Sequence, residues 1–277
     1  MGISYHVLKL LQIAKDKAPL GDVLTLGRQN LNIDRATIDR DFGPVSDYQY
    51  ADEFLKQRLG ATTVSSLDNS SYEGATYVAD LNKPIHLGKK FDLVLDSGTL
   101  EHLYDVATGF GNAINHCKVG GRIIHASPSN SDCGHGFYQF SPELMFSLYS
   151  EANGFRNTTV YVVKMMDRTH WWQAFPPKPG RRLMANSLST TYVLCTTQKA
   201  ADVATISVQQ SDYEHAWEVG TAPVGEPSTS LVSRGRAALQ GTFLADVATL
   251  GYRTWFAKTG LTKYNPDLKR VKIESLI

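Results

Sequence analysis

The stretch of residues 91–128, FDLVLDSGTLEHLYDVATGFGNAINHCKVGGRIIHASP, decides the fold because its hydrophobic period changes twice. Residues 91–95 form an apolar run, as in a strand buried on both faces of a parallel sheet. After a polar turn, apolar residues recur every three or four positions from 100 to 114, which is typical of a helix with one buried stripe. Gly120 and Gly121 are predicted to end that helix before a second buried strand. The stretch therefore predicts a βαβ unit.

Polar side chains follow the first strand of this unit. In open α/β sheets, ligands bind at the carboxyl ends of the strands, which makes Asp96, Ser97, Gly98, Glu101 and His102 candidate site residues. A second interpretation is that Asp96 caps the next helix. Glu101 and His102 would then form a solvated helix face, with the glutamate favoured by the helix dipole. The residues alone leave both interpretations open.

Composition limits the class of protein. The chain has 277 residues, 42% hydrophobic and 20% charged, which is ordinary for a globular protein. We expect one large domain at 1–197, followed by a polar linker and a C-terminal helical appendage at 198–277. The net charge of +1 provides no basic field for nucleic acid. With neither a membrane-length apolar run nor a signal-peptide core, we expect a cytoplasmic protein without nucleic-acid or membrane partners.

The three cysteines do not form a recognisable chemical motif. Cys117, Cys133 and Cys195 are odd in number and widely spaced. This pattern indicates neither a disulfide framework nor a zinc site. Cys117 and Cys195 are expected in or near the core as reduced thiols.

Strands are also predicted at 22–27, 62–67 and 77–79. Helices are predicted at 5–17, at 50–59 with a stop at Gly60, after an N-cap at Ser141 and Pro142, and at 231–249. The first strand runs into Gly27, Arg28 and Gln29, where a nucleotide-binding fold carries its glycine-rich turn. Only one glycine is present in this turn. The Arg28 guanidinium either meets a carboxylate or phosphate group of a ligand or pairs with a neighbouring acid.

The other two strands end at acidic residues. In a dinucleotide-type fold, Asp68 reaches ribose hydroxyls. Alternatively, it caps the turn that it forms with residues 69 and 70. Asp80 and Leu81 follow the next strand. Two strand tips therefore carry a carboxylate ahead of the central unit.

Two loops beyond residue 128 carry candidate side chains. His135, between Gly134 and Gly136, is either a general base or a residue that fixes its loop by hydrogen bonds. The polar and aromatic connection 166–182 either forms a wall for an acceptor molecule or is held down by its own aromatic rings. Its candidate residues are His170, Trp171, Trp172 and Phe175. We expect no metal ion at Glu101 and His102, because adjacent helical residues point in different directions.

Taken together, these motifs resemble the class I S-adenosylmethionine-dependent methyltransferases over about residues 20–197. The motifs are VLTLGRQ, the acidic strand tips, DLN, GTLEH and HGFYQFSPE. The resemblance implies an α/β, Rossmann-like class I methyltransferase fold with a mostly parallel, seven-stranded twisted sheet and helices on both faces. It departs from the family in the first turn, where Thr25, Arg28 and Gln29 stand in place of an acidic residue and glycines.

The resemblance also implies a cofactor, S-adenosyl-L-methionine, and the residues around it. These are Gly27, Arg28 and Gln29 in the turn at the methionine end, Asp68 at the ribose, Asp80 and Leu81 at the adenine, and Asp96 and Ser97 at the methyl-transfer mouth. The atypical first turn indicates either an altered cofactor geometry or a fold that has lost the cofactor.

The reaction implied is O-methylation of a small hydroxylated acceptor, such as a sugar or glycoside. Because a sulfonium methyl group is already electrophilic, the protein mainly aligns the acceptor and removes a proton. The candidate bases are His135 and then His102. The alternative is a catalytically silent binding or scaffold protein. A dinucleotide-dependent oxidoreductase is disfavoured because the first turn lacks a GxGxxG pattern.

Overall fold

The computed structural model describes residues 2–46, 48–220, 241–262 and 265–277, apart from the side chains of residues 245 and 252–259. Its strands are β1 (Gly2–Ile3), β2 (Gly21–Leu26), β3 (Asn30–Leu31), β4 (Ala61–Asp68), β5 (Tyr77–Val78), β6 (Phe91–Ser97), β7 (Cys117–Asn130), β8 (Phe155–Lys164), β9 (His170–Ala174), β10 (Thr191–Lys199) and β11 (Leu268–Lys272). Its helices are α1 (Tyr5–Lys17), α2 (Arg35–Phe42), α3 (Ala51–Leu59), α4 (Val106–His116), α5 (Pro142–Leu148), α6 (Ser211–Val219) and α7 (Phe243–Gly260), with 3-10 turns at Leu100–His102 and Ile273–Ser275.

One large sheet organises the chain. Its strand order is β11-β9-β8-β10-β7-β6-β2-β4-β5. The strands β5, β4, β2, β6 and β7 pair in parallel, and β10 runs antiparallel to both β7 and β8. The predicted Rossmann-like α/β class is confirmed. The predicted count of seven strands is wrong, because this sheet has nine strands and is mixed.

Two hydrophobic clusters cover the two faces of the sheet. One contains the buried residues of α1 and α3 with strand residues such as Val23 and Leu95. The other contains those of α4 and α5 with Leu24 and Val94. Because successive strand residues point to opposite faces, neighbours such as Val23 and Leu24 belong to different clusters. This explains why the parallel strands appear in the sequence as continuous apolar runs.

Several predicted boundaries are confirmed by local capping. Helix α1 spans the predicted residues Tyr5–Lys17. Helix α3 ends at Gly60, which has φ +68°, a left-handed conformation that favours glycine. The Ser141 side chain accepts a hydrogen bond from the amide of Leu144 at the start of α5.

The helix of the central unit differs from its prediction at both ends. Residues Leu100–His102 form a 3-10 turn, and α4 begins only at Val106, capped by the Asp105 side chain. The helix ends at His116, so the prediction that Gly120 and Gly121 end it was wrong. Gly120 has φ +86° and lies within β7 instead, close to an irregularity in the pairing of β6 with β7.

The aromatic connection is also not a loop. Residues His170–Ala174 form β9, which pairs with β8 on one side and with β11 on the other. Trp171 and Trp172 are buried in the two hydrophobic clusters. The pairing of β11 therefore adds the C-terminal segment to the edge of the sheet. These two strands account for the difference between seven strands and nine.

Besides β11, the segment 198–277 contains the helices α6 and α7. The part of the predicted helix 231–249 that precedes residue 241 lies outside the described residues. Helix α7 covers the rest of it from Phe243 onward. Among the described residues, no helix combines the length and the apolar character needed to cross a membrane. The division into 1–197 and 198–277 stays a prediction.

Candidate functional site

A cavity of about 820 Å³ opens at the carboxyl ends of the parallel strands. Its volume lies in the upper part of the range for small-molecule sites. Its walls contain residues from the ends of β2, β4 and β6, from the segment after β5, and from the loop after β7. The lining residues include Gly27, Asp68, Asn69, Asp80, Leu81, Asn82, Ser97, Gly98, Thr99, His102 and His135.

The middle of the cavity lies between β2 and β6, where the direction of sheet winding changes. In open α/β sheets, such a switch point is where ligands bind. Here Gly27 has φ +73° and its amide donates a hydrogen bond to the Leu67 carbonyl at 2.7 Å. Across the crevice, Thr99 Oγ1 donates to the Leu26 carbonyl at 2.7 Å. The floor of the crevice is therefore held by hydrogen bonds from both sides.

Arg28 and Gln29 follow Gly27, but neither side chain lines the cavity. Arg28 Nη2 pairs with Asp52 at 2.9 Å, and its guanidinium stacks over the Tyr50 ring. The Gln29 amide is fully buried and donates to the Leu26 carbonyl. Of the two interpretations of Arg28, the contacts correspond to pairing with a neighbouring acid. The rim is consequently not blocked by this arginine.

Asp68 lines the cavity at the tip of β4. One carboxylate oxygen accepts a hydrogen bond from the Arg28 amide at 3.0 Å, and the other accepts from the Ser70 amide at 3.3 Å. Asp68 therefore caps its turn and borders the cavity at the same time. Each carboxylate oxygen has a further lone pair for a ligand hydroxyl.

Asp80, Leu81 and Asn82 form the neighbouring part of the wall. The Asn82 side chain donates to the Asp80 carboxylate, which holds the pKa of Asp80 below its usual value. From α4, the buried Asn112 side chain donates to the Leu81 and Lys83 carbonyls and accepts from the Ile85 amide. Asn112 was not predicted, because its position among the apolar residues of α4 gives no sign of these distant contacts.

Asp96 does not line the cavity; it lies beneath its floor with 0% exposure. Its Oδ1 accepts hydrogen bonds from the Thr99 and Leu100 amides, so that it caps the 3-10 turn. Its Oδ2 lies 2.9 Å from His125 Nδ1. The other ring nitrogen of His125 bonds the hydroxyl of Tyr149, whose pKa is raised by burial. These three buried, hydrogen-bonded side chains support the residues that do face the cavity, among them Ser97.

Both candidate bases line the cavity. The rings of His102 and His135 have their centroids 5.0 Å apart. Burial, and then the charge of His135, lower the pKa of His102. Nε2 of His135 lies 3.5 Å from Oε1 of Glu101. Burial, and then the charge of Asp96, raise the pKa of Glu101 to about 8.

The loop after β7 is fastened to the 3-10 turn by its main chain. The amides of Phe137 and Tyr138 both donate to the Glu101 carbonyl, at 2.7 and 3.2 Å. Between them and His135 lies Gly136, with φ +73°. A Cβ atom there would lie 2.8 Å from the same Glu101 carbonyl oxygen. His135 therefore fits both of its interpretations in part, since its loop is fixed while its ring reaches the cavity.

The expectation against a metal ion rested on the directions of two adjacent helical side chains. That premise does not hold, because residues 100–102 form a 3-10 turn and a third residue approaches from another loop. One ligand atom each from Glu101, His102 and His135 lies within 4.8 Å of the others. This arrangement depends on the folded loop and has no signature in the residue spacing.

The remaining wall was not predicted. It comes from the N-terminal residues and from the ends of β8 and β10: Gly2, Ser4, Val7, Asn32, Met165 and Tyr192. None of the four aromatic-connection candidates, His170, Trp171, Trp172 and Phe175, is among the residues that line this cavity. The rings of Trp171 and Trp172 pack into the core because they lie on β9.

No protein-family model matches the chain, and no curated protein matches it. Among solved structures, the N-methyltransferase NodS from Bradyrhizobium japonicum WM9, in complex with S-adenosyl-L-homocysteine, is similar over 70% of this chain and 85% of its own, with 11% identity and a TM-score of 0.39. A DhpI–SAH complex is similar over 69% of this chain and 83% of its own, with 17% identity and a TM-score of 0.36. TehB from Haemophilus influenzae is similar over 69% of this chain and 61% of its own, with 15% identity and a TM-score of 0.38.

The fold follows from the chain's own topology. The strand order β5-β4-β2-β6-β7-β10-β8 contains parallel strands on both sides of β2 and the reversed strand β10 between β7 and β8. Helices cover both faces, and the cavity lies at the switch point. The chain therefore has a Rossmann-like α/β fold with a mixed sheet.

Proposed function

We propose that the cavity binds S-adenosyl-L-methionine and that the chain transfers its methyl group to a hydroxyl of a small acceptor such as a sugar or glycoside. The observation that carries this proposal is the division of the cavity into two chemically different ends. Carboxylates follow β4 and β5 at one end, and two imidazoles lie beyond β6 at the other.

The carboxylate end suits an adenosine group. Asp68 provides acceptor lone pairs for two ribose hydroxyls, since its existing hydrogen bonds come from main-chain amides on separate oxygens. Leu81, only 4% exposed, offers an apolar surface for a base. Asp80 stands beside it, where its carboxylate can accept a hydrogen bond from an exocyclic amine.

The central part of the cavity suits the methionine end of the cofactor. Gly27 and Gly98 both have positive φ angles, and glycine there allows a ligand to approach the main chain closely. Ser97 lies between these turns and lines the cavity. Arg28 is occupied by Asp52 and leaves this space open.

The imidazole end suits a hydroxylated acceptor. His135, His102 and Tyr192 provide hydrogen-bonding side chains there, and the ring centroids of His135 and Tyr192 are 6.4 Å apart. In the reaction, the acceptor oxygen forms a bond to the methyl carbon while the bond from that carbon to sulfur breaks. The hydroxyl proton passes to His135, or to His102 as the second candidate. The products are the methyl ether and S-adenosyl-L-homocysteine.

Calorimetry on the full chain tests the first half of this proposal. We expect saturable binding of S-adenosyl-L-homocysteine and no saturable response to NAD. A panel of sugars, glycosides and amines, incubated with a methyl-labelled donor, then tests the second half. Transfer to hydroxyl groups supports the proposal, and transfer only to amines overturns the acceptor class. Binding without transfer to any acceptor favours the alternative of a catalytically silent binding protein.

A further inference from the structure

One carboxylate and two imidazoles meet at the edge of the cavity. The ligand atoms of Glu101, His102 and His135 all lie within 4.8 Å of one another. The 3.5 Å separation of His135 Nε2 and Glu101 Oε1 is close to the distance of about 3.4 Å expected for two donors bound tetrahedrally to one ion at about 2.1 Å. Modest closure of the His102 and His135 rings would complete a three-ligand set.

The Glu101 carboxylate distinguishes this cluster from an ordinary group of surface side chains. Glu101 is 0% exposed, and neither of its carboxylate oxygens has a hydrogen-bond partner within the described part of the chain. A buried carboxylate without hydrogen-bond partners carries a large desolvation cost. Either a proton or a bound cation must therefore compensate its charge.

The main chain holds the three side chains in this arrangement. The Glu101 carbonyl accepts hydrogen bonds from Phe137 and Tyr138, which ties the His135 loop to the 3-10 turn. Gly136 makes this close approach possible. Ligands held on fixed main chain lose little freedom when an ion binds, which favours binding.

We propose that Glu101, His102 and His135 bind one divalent cation whose remaining coordination positions face the cavity. Two imidazoles with one carboxylate suit a transition-metal ion such as Zn²⁺, Mn²⁺ or Co²⁺ better than Mg²⁺ or Ca²⁺, which prefer oxygen ligands. His102 and His135 both line the cavity, so an ion between them is accessible from it.

The use of this ion rests on the proposed function. An acceptor hydroxyl that coordinates a divalent cation loses its proton more readily. With the His135 nitrogen bound to the cation, that proton passes to water in the open cavity. The acceptor oxygen still forms its bond to the methyl carbon as the bond to sulfur breaks. His135 is then a ligand of the ion in place of the base.

The test is a titration of the chelator-treated full chain with MnCl₂ and ZnCl₂ by calorimetry and with CoCl₂ by visible absorption. We expect one site per chain, a Co²⁺ spectrum that reports nitrogen and oxygen ligands, and a higher melting temperature with bound ion. Glu101→Gln keeps the shape of the side chain and removes its charge. We expect it to weaken binding by at least about 10-fold, as losses within metal sites commonly do.

Two further variants keep the test decisive. His135→Ala changes a half-exposed side chain, so it gives a folded comparison if the Glu101 variant fails to fold. His86→Ala, at an exposed histidine outside the cavity, should leave the site unchanged. Equal binding by the wild type and the Glu101 and His135 variants overturns the metal site. Calorimetry with S-adenosyl-L-homocysteine on the metal-free chain separates this failure from failure of the proposed function.

Discussion

The Nδ1 atom of His125 lies 2.9 Å from Oδ2 of Asp96, and both side chains are fully buried beneath the cavity. Because a carboxylate accepts hydrogen bonds, Nδ1 donates, and Nε2 of a neutral ring accepts from the Tyr149 hydroxyl. The other Asp96 oxygen holds the amides that start the 3-10 turn. The hydrogen-bonded side chains Tyr149, His125 and Asp96 thus link the interior of the sheet to the turn that carries His102.

Tyr149→Phe tests how much the hydrogen bond between Tyr149 and His125 contributes to stability. The substitution leaves Nε2 of His125 buried without a donor, and we expect the free energy of unfolding to fall by about 1–3 kcal/mol. Urea denaturation followed by circular dichroism measures the change. Tyr72→Phe, at a ring that is 92% exposed, is the matched control and should have little effect. Equal midpoints for both variants would show that the hydrogen bond contributes nothing.

Asp68→Asn tests the carboxylate at the tip of β4. We expect affinity for S-adenosyl-L-homocysteine to fall about 10- to 100-fold, since hydrogen bonds to a charged group are worth about 1.5–3 kcal/mol. Calorimetry gives the dissociation constants. Asp16→Asn, at an exposed position on α1, makes the same chemical change away from the cavity. An unchanged affinity in the Asp68 variant would exclude a ribose contact at this residue.

Gly136→Ala tests how the His135 loop is positioned. A methyl group at this positive φ would lie 2.8 Å from the Glu101 carbonyl oxygen, so the loop must move away from the 3-10 turn. We expect methyl transfer to fall by at least about 10-fold, because small displacements of reacting groups are costly. Gly134→Ala is the control, since a Cβ there has no atom within 4 Å. Similar rates for the two variants would contradict the proposed role of the loop.

Local signals account for the parts of the fold that were predicted correctly. The three-or-four residue period of α1, the glycine after α3 and the Ser141-Pro142 cap of α5 each act within one or two turns of chain. The βαβ unit was predicted because its first strand is apolar on both faces. These features depend on neighbouring residues, which is why periodicity and capping rules find them.

Long-range pairing accounts for the parts that were missed. The segment His170–Ala174 became a strand because β8 and β11 pair with it from distant parts of the chain. The 3-10 turn at Leu100–His102 is fixed by Asp96 and by the contact from Thr99 to the Leu26 carbonyl. The meeting of Glu101 and His135 depends on the loop hydrogen bonds. No spacing rule in the sequence encodes these contacts.

The three cysteines should differ in reactivity. Cys117 and Cys195 are buried, which confirms their predicted place in the core, whereas Cys133 is exposed in the loop after β7. A disulfide reagent at neutral pH should therefore modify one thiol rapidly in the native chain and the other two only after unfolding. Cys133→Ala should abolish the rapid phase. A rapid phase that persists in this variant would show that a core thiol is accessible.

The buried thiols should also make stability depend on alkaline pH. Burial raises the pKa of Cys117 to about 12, compared with about 8.5 for an unfolded cysteine. Between these values the unfolded state loses a proton that the native state keeps, so the free energy of unfolding falls as pH rises, by up to about 1.4 kcal/mol per pH unit for this group. At pH values below about 7 the group contributes almost no slope. Burial also raises the pKa of Cys195.

Denaturation of Cys117→Ala across pH 8 to 10 isolates this contribution. We expect the variant to be less stable than the wild type at pH 8, because it lacks a buried side chain, and to lose less stability as the pH rises. Cys133→Ala removes an exposed thiol and should keep the wild-type slope. If Cys117→Ala and the wild type decline in parallel, the Cys117 thiol must ionise as readily in the native state as in the unfolded one, which its complete burial at the start of β7 argues against.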